Sequence, residues 1–202
     1  MAWDTWKDDF IESAGFSFRL EDLRERGIRS DSPSEFKKTC GINQVKELMF
    51  QRSIYETMST MGWNKSFWKI EYPYEKKGVS KRADFAIRNP DGKAGQSWHY
   101  IEMKEYDTGK VKVDAAKLKK ASGRGSHAHM IIYDWTHSIK KGVSGKTKLL
   151  EKIEKKFPGT FYYSGKNAPK EHDFKTLVPK YLRNKKSDGV PGRVEIVLLT
   201  VK

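Results

Sequence analysis

The sequence is poor in cysteine and in long apolar runs. Cys40 is the single cysteine among 202 residues, which excludes an internal disulfide and a zinc site built from cysteines. No stretch approaches the roughly eighteen consecutive apolar residues of a membrane-spanning helix. The opening segment MAWDTWKDDF is acidic and lacks the basic and then apolar order of a secretory signal. We therefore expect a cytoplasmic, intracellular protein with no membrane partner.

Negative charge is scarce relative to positive charge. Forty Lys and Arg residues stand against 26 Asp and Glu residues, which gives a formal net charge of +14. A field of this size attracts polyanions, of which nucleic acid is the commonest. The alternative is a charged surface that only keeps the protein in solution. The length and the six tryptophans indicate one folded domain rather than a disordered chain.

The periodicity of the apolar residues predicts the order of the elements. Residues 1–42 read as a short helical N-terminal extension, and residues 43–202 as the main domain. In the main domain a helical pattern precedes three strands, and a helix, a strand, a helix and a strand follow. The strand-like segments are SFWKIEYPYEK, RADFAIR and SWHYIEMKEY, and later HAHMIIYDW and RVEIVLLTVK. This order predicts an α/β fold with a central mixed β-sheet flanked by helices.

Three charged residues occupy two of these strands. Asp84 lies in RADFAIR, and Glu102 and Lys104 lie in SWHYIEMKEY. Turn signals in the intervening NPDGKAGQ predict a hairpin, which can bring Asp84 opposite Glu102. Side chains alternate along a strand, so Glu102 and Lys104 share one face, roughly 6–7 Å apart. The sequence therefore predicts two carboxylates and one ammonium on one side of the sheet.

The negative charge of such a carboxylate pair must be compensated by a nearby positive charge. Two crowded anionic groups repel each other and raise the pKa of one of them. A divalent cation removes that repulsion, and Mg²⁺, for which Mn²⁺ can substitute, takes oxygen ligands from one or two carboxylates. Beside a phosphodiester, such a cation polarises the phosphate and activates a bound water, while Lys104 can orient or deprotonate that water or neutralise developing charge. The alternative is an exposed Glu–Lys cross-strand pair on a solvated sheet face.

The segments RADFAI and YIEMKEY, with Asp84 and Glu102-Met103-Lys104, resemble the motif of the PD-(D/E)XK nuclease superfamily, the fold of many type II restriction endonucleases. The resemblance covers about residues 43–135, and Ala83 stands where the family pattern has proline. It implies a restriction endonuclease-like fold and a Mg²⁺-dependent endonuclease, a hydrolase acting on double-stranded DNA. It also implies catalytic roles for Asp84, Glu102 and Lys104, and metal ligands at Asp84, Glu102 and Met103.

Glu47 is a further candidate for the catalytic site. Members of the superfamily often contribute an additional acid from the first helix, and Glu47 is similar to that position. The alternative is a glutamate at a helix start, where the helix dipole favours it. Cleavage of a palindrome would favour a two-fold homodimer. Other substrates stay open, namely junctions, transposon ends, phage genome ends and RNA, as does a non-catalytic protein that only binds nucleic acid.

Two basic segments outside the motif are candidates for nucleic-acid binding. Three lysines follow the motif strand on a predicted helix, and a basic, glycine-rich segment, RNKKSDGVPGR, reads as a loop that can follow a groove. The alternative for both is a solvated surface. The candidate residues are Lys117, Lys119, Lys120, Arg183, Lys185, Lys186 and Arg193. His127 and His129 share a strand face, but no third ligand is evident, and we do not predict a zinc site.

Overall fold

The structure is a computed structural model that describes residues 6–28, 31–32, 47–74, 82–88, 98–106, 108–122, 128–136, 148–162, 171–173 and 193–201. The helices are α1 (Trp6–Ile28), α2 (Glu47–Thr60), α3 (Thr108–Ser122) and α4 (Lys148–Lys156). The strands are β1 (Trp68–Pro73), β2 (Arg82–Arg88), β3 (Trp98–Glu105), β4 (Ala128–Thr136), β5 (Phe161–Tyr162), β6 (Glu171–Asp173) and β7 (Arg193–Val201). Within these ranges, no helix combines the length and the apolar character needed to cross a membrane.

The strands form one mixed sheet in the order β1-β2-β3-β4-β7-β5, and β6 also pairs with β7. Strand β2 is antiparallel to β1 and β3, which confirms the predicted hairpin. Strands β3 and β4 are parallel and are joined through α3, whereas β7 runs antiparallel to β4. The predicted α/β fold with a central mixed sheet is thus confirmed. The short strands β5 and β6 were not predicted, because two or three residues carry no periodic signal.

Helices cover the sheet on both faces. The five interior residues of β2 are all buried, as is typical of a strand that is packed on two sides. On one face α1 and α2 bring an aromatic cluster onto the sheet, where the ring of Phe10 meets Phe85 edge-on at 5.1 Å and Phe18 stacks on Phe50 at 4.0 Å. On the other face α3 and α4 bury aliphatic residues, among them Leu118 and Ile153.

The N-terminal segment differs from the predicted short helical extension. Helix α1 is a single helix of 23 residues, and it continues through Gly15. A glycine inside a helix costs about 1 kcal/mol relative to alanine, and the burial of Phe10, Ile11 and Phe18 in the main core outweighs that cost. The domain boundary after residue 42 stays a prediction, because residues 33–46 lie outside the described part of the chain. Helix α1 itself belongs to the core of the sheet.

Candidate active site

Asp84 lies where the hairpin ladder ends. The pairing of β2 with β3 runs from Arg88–Trp98 to Phe85–Ile101. Beyond that point the backbone N–H of Met103 donates to Asp84 Oδ2 at 2.6 Å. On the other side of β2, Glu71 of β1 is level with Asp84 and has φ 49°. A non-glycine residue with positive φ is uncommon, and such residues cluster at functional sites.

Glu102 is almost completely enclosed. It is 2% exposed, and its Oε1 accepts a hydrogen bond of 2.5 Å from the hydroxyl of Tyr74. The same oxygen lies 2.6 Å from Lys117 Nζ on α3. Alternation along β3 explains this placement, because Ile101 and Met103 enter the aromatic cluster on one face while Glu102 points to the face covered by α3. A buried charge survives only with such partners.

Lys104 continues the cluster toward α2. Its Nζ lies 2.8 Å from Glu47 Oε1, at the first residue of α2, and 3.8 Å from Asp114 Oδ2 on α3. Asp114 Oδ1 in turn lies 3.4 Å from Lys117 Nζ. The side chains therefore alternate in sign along a line that we call the charged chain: Glu47, Lys104, Asp114, Lys117 and Glu102. As predicted, Glu102 and Lys104 share one face of the sheet.

Burial and mutual repulsion shift the ionisation of these groups. Desolvation and the charge of Glu102 raise the pKa of Asp84 to about 8, although the Met103 amide and Lys104 act in the opposite direction. Burial alone would lower the pKa of Lys104, but the hydrogen bond with Glu47 and the neighbouring carboxylates raise its pKa above the ordinary value. Lys104 is therefore an ammonium at neutral pH.

The donor set fits a hard divalent cation. Among the described residues, no group of three or more His, Cys, Asp and Glu side chains is arranged around a common point to hold a metal ion. Mg²⁺ does not require such a cage, since it is often held by one or two carboxylates, waters and a substrate phosphate. Asp84 Oδ1 and Glu102 Oε2 accept no hydrogen bond from a described residue. The side chain of Met103 is buried in the aromatic cluster, so only its main chain faces the site.

The predicted nucleic-acid contacts fall in different places. Lys117 lies inside the charged chain, against Glu102, whereas Lys119 and Lys120 are exposed in the last turn of α3. Arg193 is the first residue of β7 and pairs with Thr136, so it is not in a loop. Arg183, Lys185 and Lys186 lie outside the described residues.

Two members of the site were not predicted. Tyr74 follows β1 and reaches Glu102 across β2, and Asp114 bridges Lys104 and Lys117. A signal for Asp114 existed in the sequence, because Asp114 and Lys117 are three residues apart and so share a face of a helix. An acid and a base at this spacing, beside the apolar face of α3, indicate a buried ion pair.

Two histidines also come together. His99 Nδ1 and His129 Nε2 lie 3.0 Å apart on adjacent strands, and the ring of Trp6 lies 5.2 Å from both imidazoles. His129 Nδ1 is 3.1 Å from Thr200 Oγ1. Both His129 nitrogens thus have hydrogen-bonding partners, which fits a packed core pair. His127, the other histidine that the sequence analysis places on this strand face, lies outside the described residues.

Comparisons of the chain with protein-family models, with curated proteins and with solved structures give no match. The class of protein is therefore defined by the molecule itself. It is an α/β protein with a mixed sheet between two helical layers, and with a buried carboxylate pair and two lysines on one face of that sheet. The chemistry that this cluster can perform is the basis for assigning a function.

Proposed function

We propose that the protein is a Mg²⁺-dependent endonuclease with a restriction endonuclease-like, PD-(D/E)XK arrangement that hydrolyses phosphodiester bonds in DNA. The observation that carries the proposal is the burial of Asp84 beside Glu102, with the pKa of Asp84 raised to about 8. A second carboxylate at this place destabilises the cation-free protein, because burial and repulsion both oppose its ionisation. Such an arrangement is typical of a site that is completed by a ligand.

Each residue of the cluster has a role in this reaction. A divalent cation held by Asp84 and Glu102 supplies, when bound, Lewis-acid stabilisation of charge on the phosphate. Lys104, an ammonium at neutral pH, donates to a phosphate oxygen and neutralises charge that develops there. Of the roles that the sequence left open for Lys104, the raised pKa favours the donor over the general base. Glu47 positions the ammonium through its 2.8 Å contact.

The charge favours a nucleic acid as the substrate, and DNA is the one that we propose. The formal net charge of +14 provides long-range attraction to phosphates, and Lys119 and Lys120 add exposed ammonium groups on the helix that also carries Lys117. A type II restriction-like enzyme acting as a two-fold dimer is the first choice within this class. A structure-selective, phage or transposon nuclease is the alternative with the same chemistry.

The direct test is incubation of the purified protein with supercoiled plasmid in Mg²⁺, Mn²⁺, Ca²⁺ or EDTA. We expect nicked or linear DNA with Mg²⁺ and Mn²⁺, and little cutting with Ca²⁺, whose looser coordination suits the reaction poorly. Sequencing of the ends then separates a site-specific enzyme from a structure-selective one. Full cleavage in excess EDTA would refute the metal-dependent mechanism.

DNA binding should depend steeply on salt. Each neutralised phosphate releases condensed counterions, so the logarithm of the binding constant falls by about 0.9 per contact for each tenfold rise in salt. For a footprint of about six contacts we expect a loss of roughly 10³-fold between 50 and 200 mM salt. The measurement is fluorescence anisotropy of a labelled duplex in Ca²⁺. A flat salt profile would show that the positive charge does not serve nucleic acid.

A second candidate function follows from the ion pairs within the cluster. Lys104 already contacts Glu47, and Lys117 already contacts Glu102, which is also what a purely structural network would show. A non-catalytic nucleic-acid-binding protein with this fold would bind DNA with the same salt dependence. It would cut plasmid with none of the divalent cations, and this result distinguishes the two candidates.

A further inference from the structure

One ion pair of the charged chain has no part in the proposed reaction. Lys117 Nζ lies 2.6 Å from Glu102 Oε1, on the carboxylate that would hold the cation. The ammonium also lies 3.4 Å from Asp114 Oδ1 and 6.0 Å from the centroid of the Tyr74 ring. A positive charge of the protein itself therefore occupies the neighbourhood in which a divalent cation would bind.

The two partners of this ion pair differ in their freedom to move. Glu102 is 2% exposed, and Tyr74 also holds its Oε1, so the carboxylate cannot turn into solvent. Lys117 stands on α3, which is fixed to the sheet by the buried side chains of Ala115 and Leu118. Its own side chain is 18% exposed and carries the ammonium at the end of a flexible four-carbon stem. The ammonium can leave while the helix stays in place.

We propose that Lys117 is a resident counter-cation that competes with the divalent metal ion for Glu102. The inference rests on the proposed function, because the competing cation is the one that the reaction would use. In the cation-free protein the ammonium neutralises a carboxylate that would otherwise be buried with only a hydroxyl partner. A metal ion must displace it, so the apparent metal affinity is the intrinsic affinity multiplied by the fraction of molecules in which the ammonium has left Glu102.

The test is a DNA-free titration with Mn²⁺, followed by the electron paramagnetic resonance signal of free Mn²⁺. It compares the wild type with Lys117→Met and with Lys112→Met, a matched charge change at an exposed position of the same helix. We expect Lys117→Met to bind Mn²⁺ roughly tenfold more tightly than the wild type. This factor corresponds to a binding free energy that is more favourable by about 1.4 kcal/mol. Lys112→Met should stay within about twofold of the wild type, because exposed charges are screened.

Thermal unfolding provides a readout that does not depend on activity. In EDTA, Lys117→Met should melt below the wild type, since Glu102 loses its ammonium partner while remaining buried. Addition of Mn²⁺ should raise the melting temperature of this variant more than that of the wild type, because the tighter ligand stabilises more. If Lys117→Met does not fold in EDTA, Lys117→Gln, which can still donate a hydrogen bond to Glu102, replaces it in both measurements.

The outcomes separate this inference from the proposed function. Equal or weaker Mn²⁺ affinity in Lys117→Met than in Lys112→Met overturns the competition, even if the wild type cleaves DNA with Mg²⁺. A Glu102→Gln variant that binds Mn²⁺ as well as the wild type does overturns both proposals, because Glu102 would then not be a metal ligand. Tighter binding in Lys117→Met, together with weakened binding in Glu102→Gln, supports the resident counter-cation.

Discussion

The variant Asp84→Asn is expected to lose cleavage while gaining stability. The substitution removes one of the two carboxylates proposed to hold the cation, and a bound metal contributes several kcal/mol to the transition state. At 1.36 kcal/mol for each factor of ten, the expected loss in single-turnover cleavage is about 10³-fold or more. Binding of duplex DNA in Ca²⁺ should be retained, because the 40 Lys and Arg residues that attract the polyanion are unchanged.

The stability gain should depend on pH in a defined direction. Native Asp84 keeps its proton up to a pKa of about 8, whereas the unfolded chain releases it near the ordinary value of 3.8. Between these values the unfolded state binds fewer protons than the native state, so the stability of the wild type falls as the pH rises. Asparagine has no proton to lose. The advantage of Asp84→Asn in EDTA should therefore grow from pH 4 to about 8 and then level off.

Urea unfolding in EDTA at pH 5, 7 and 8.5 measures this difference, and Asp134→Asn is the matched control. Asp134 is also a strand aspartate, but it forms an ion pair with Lys152, outside the cluster. Asp134→Asn should cleave at the rate of the wild type. Mg²⁺ should raise the melting temperature of the wild type and of the control, but not of Asp84→Asn. An Asp84→Asn variant that cuts normally would remove Asp84 from the site.

The part of the site that sequence predicts is the part that strand alternation controls. Glu102 and Lys104 are two residues apart in one strand, and this spacing requires them to share a face whatever surrounds the sheet. Asp84 could be placed beside them because a hairpin with a short connection leaves little choice of partner. Glu47 was found through the resemblance to a nuclease family, and its contact with Lys104 could not have been derived from spacing.

The rest of the site depends on packing between elements that are far apart in the sequence. The helical pattern of α3 predicts which side faces the core, but the contact of Lys117 with Glu102 is fixed by the position of that helix over β3. Tyr74 reaches the site only because β1 pairs with β2. Helix α1 was predicted as an extension because the pattern of its apolar residues does not specify which element they pack against. Its packing against Phe50 and Phe85 in the aromatic cluster is a property of the tertiary structure.

Lys104→Ala should separate chemistry from binding. DNA affinity in Ca²⁺ should fall only slightly, since most of the 40 Lys and Arg residues that attract the polyanion remain. Single-turnover cleavage in Mg²⁺ should fall by roughly 10²-fold or more, the effect of deleting one transition-state donor. The matched control is Lys152→Ala, which removes a lysine from the ion pair with Asp134 and should leave both quantities unchanged.

Lys104→Arg should not restore the rate lost in Lys104→Ala. The guanidinium is a planar fork with a delocalised charge, and it cannot occupy the place of a compact ammonium held 2.8 Å from Glu47. Glu47→Gln should lower the cleavage rate less than Lys104→Ala does, because the amide oxygen can still accept from the ammonium and keep it in position. Cleavage by Lys104→Ala at the rate of the wild type would assign Lys104 to the fold alone, and the segment YIEMKEY would then be a strand with a structural ion pair.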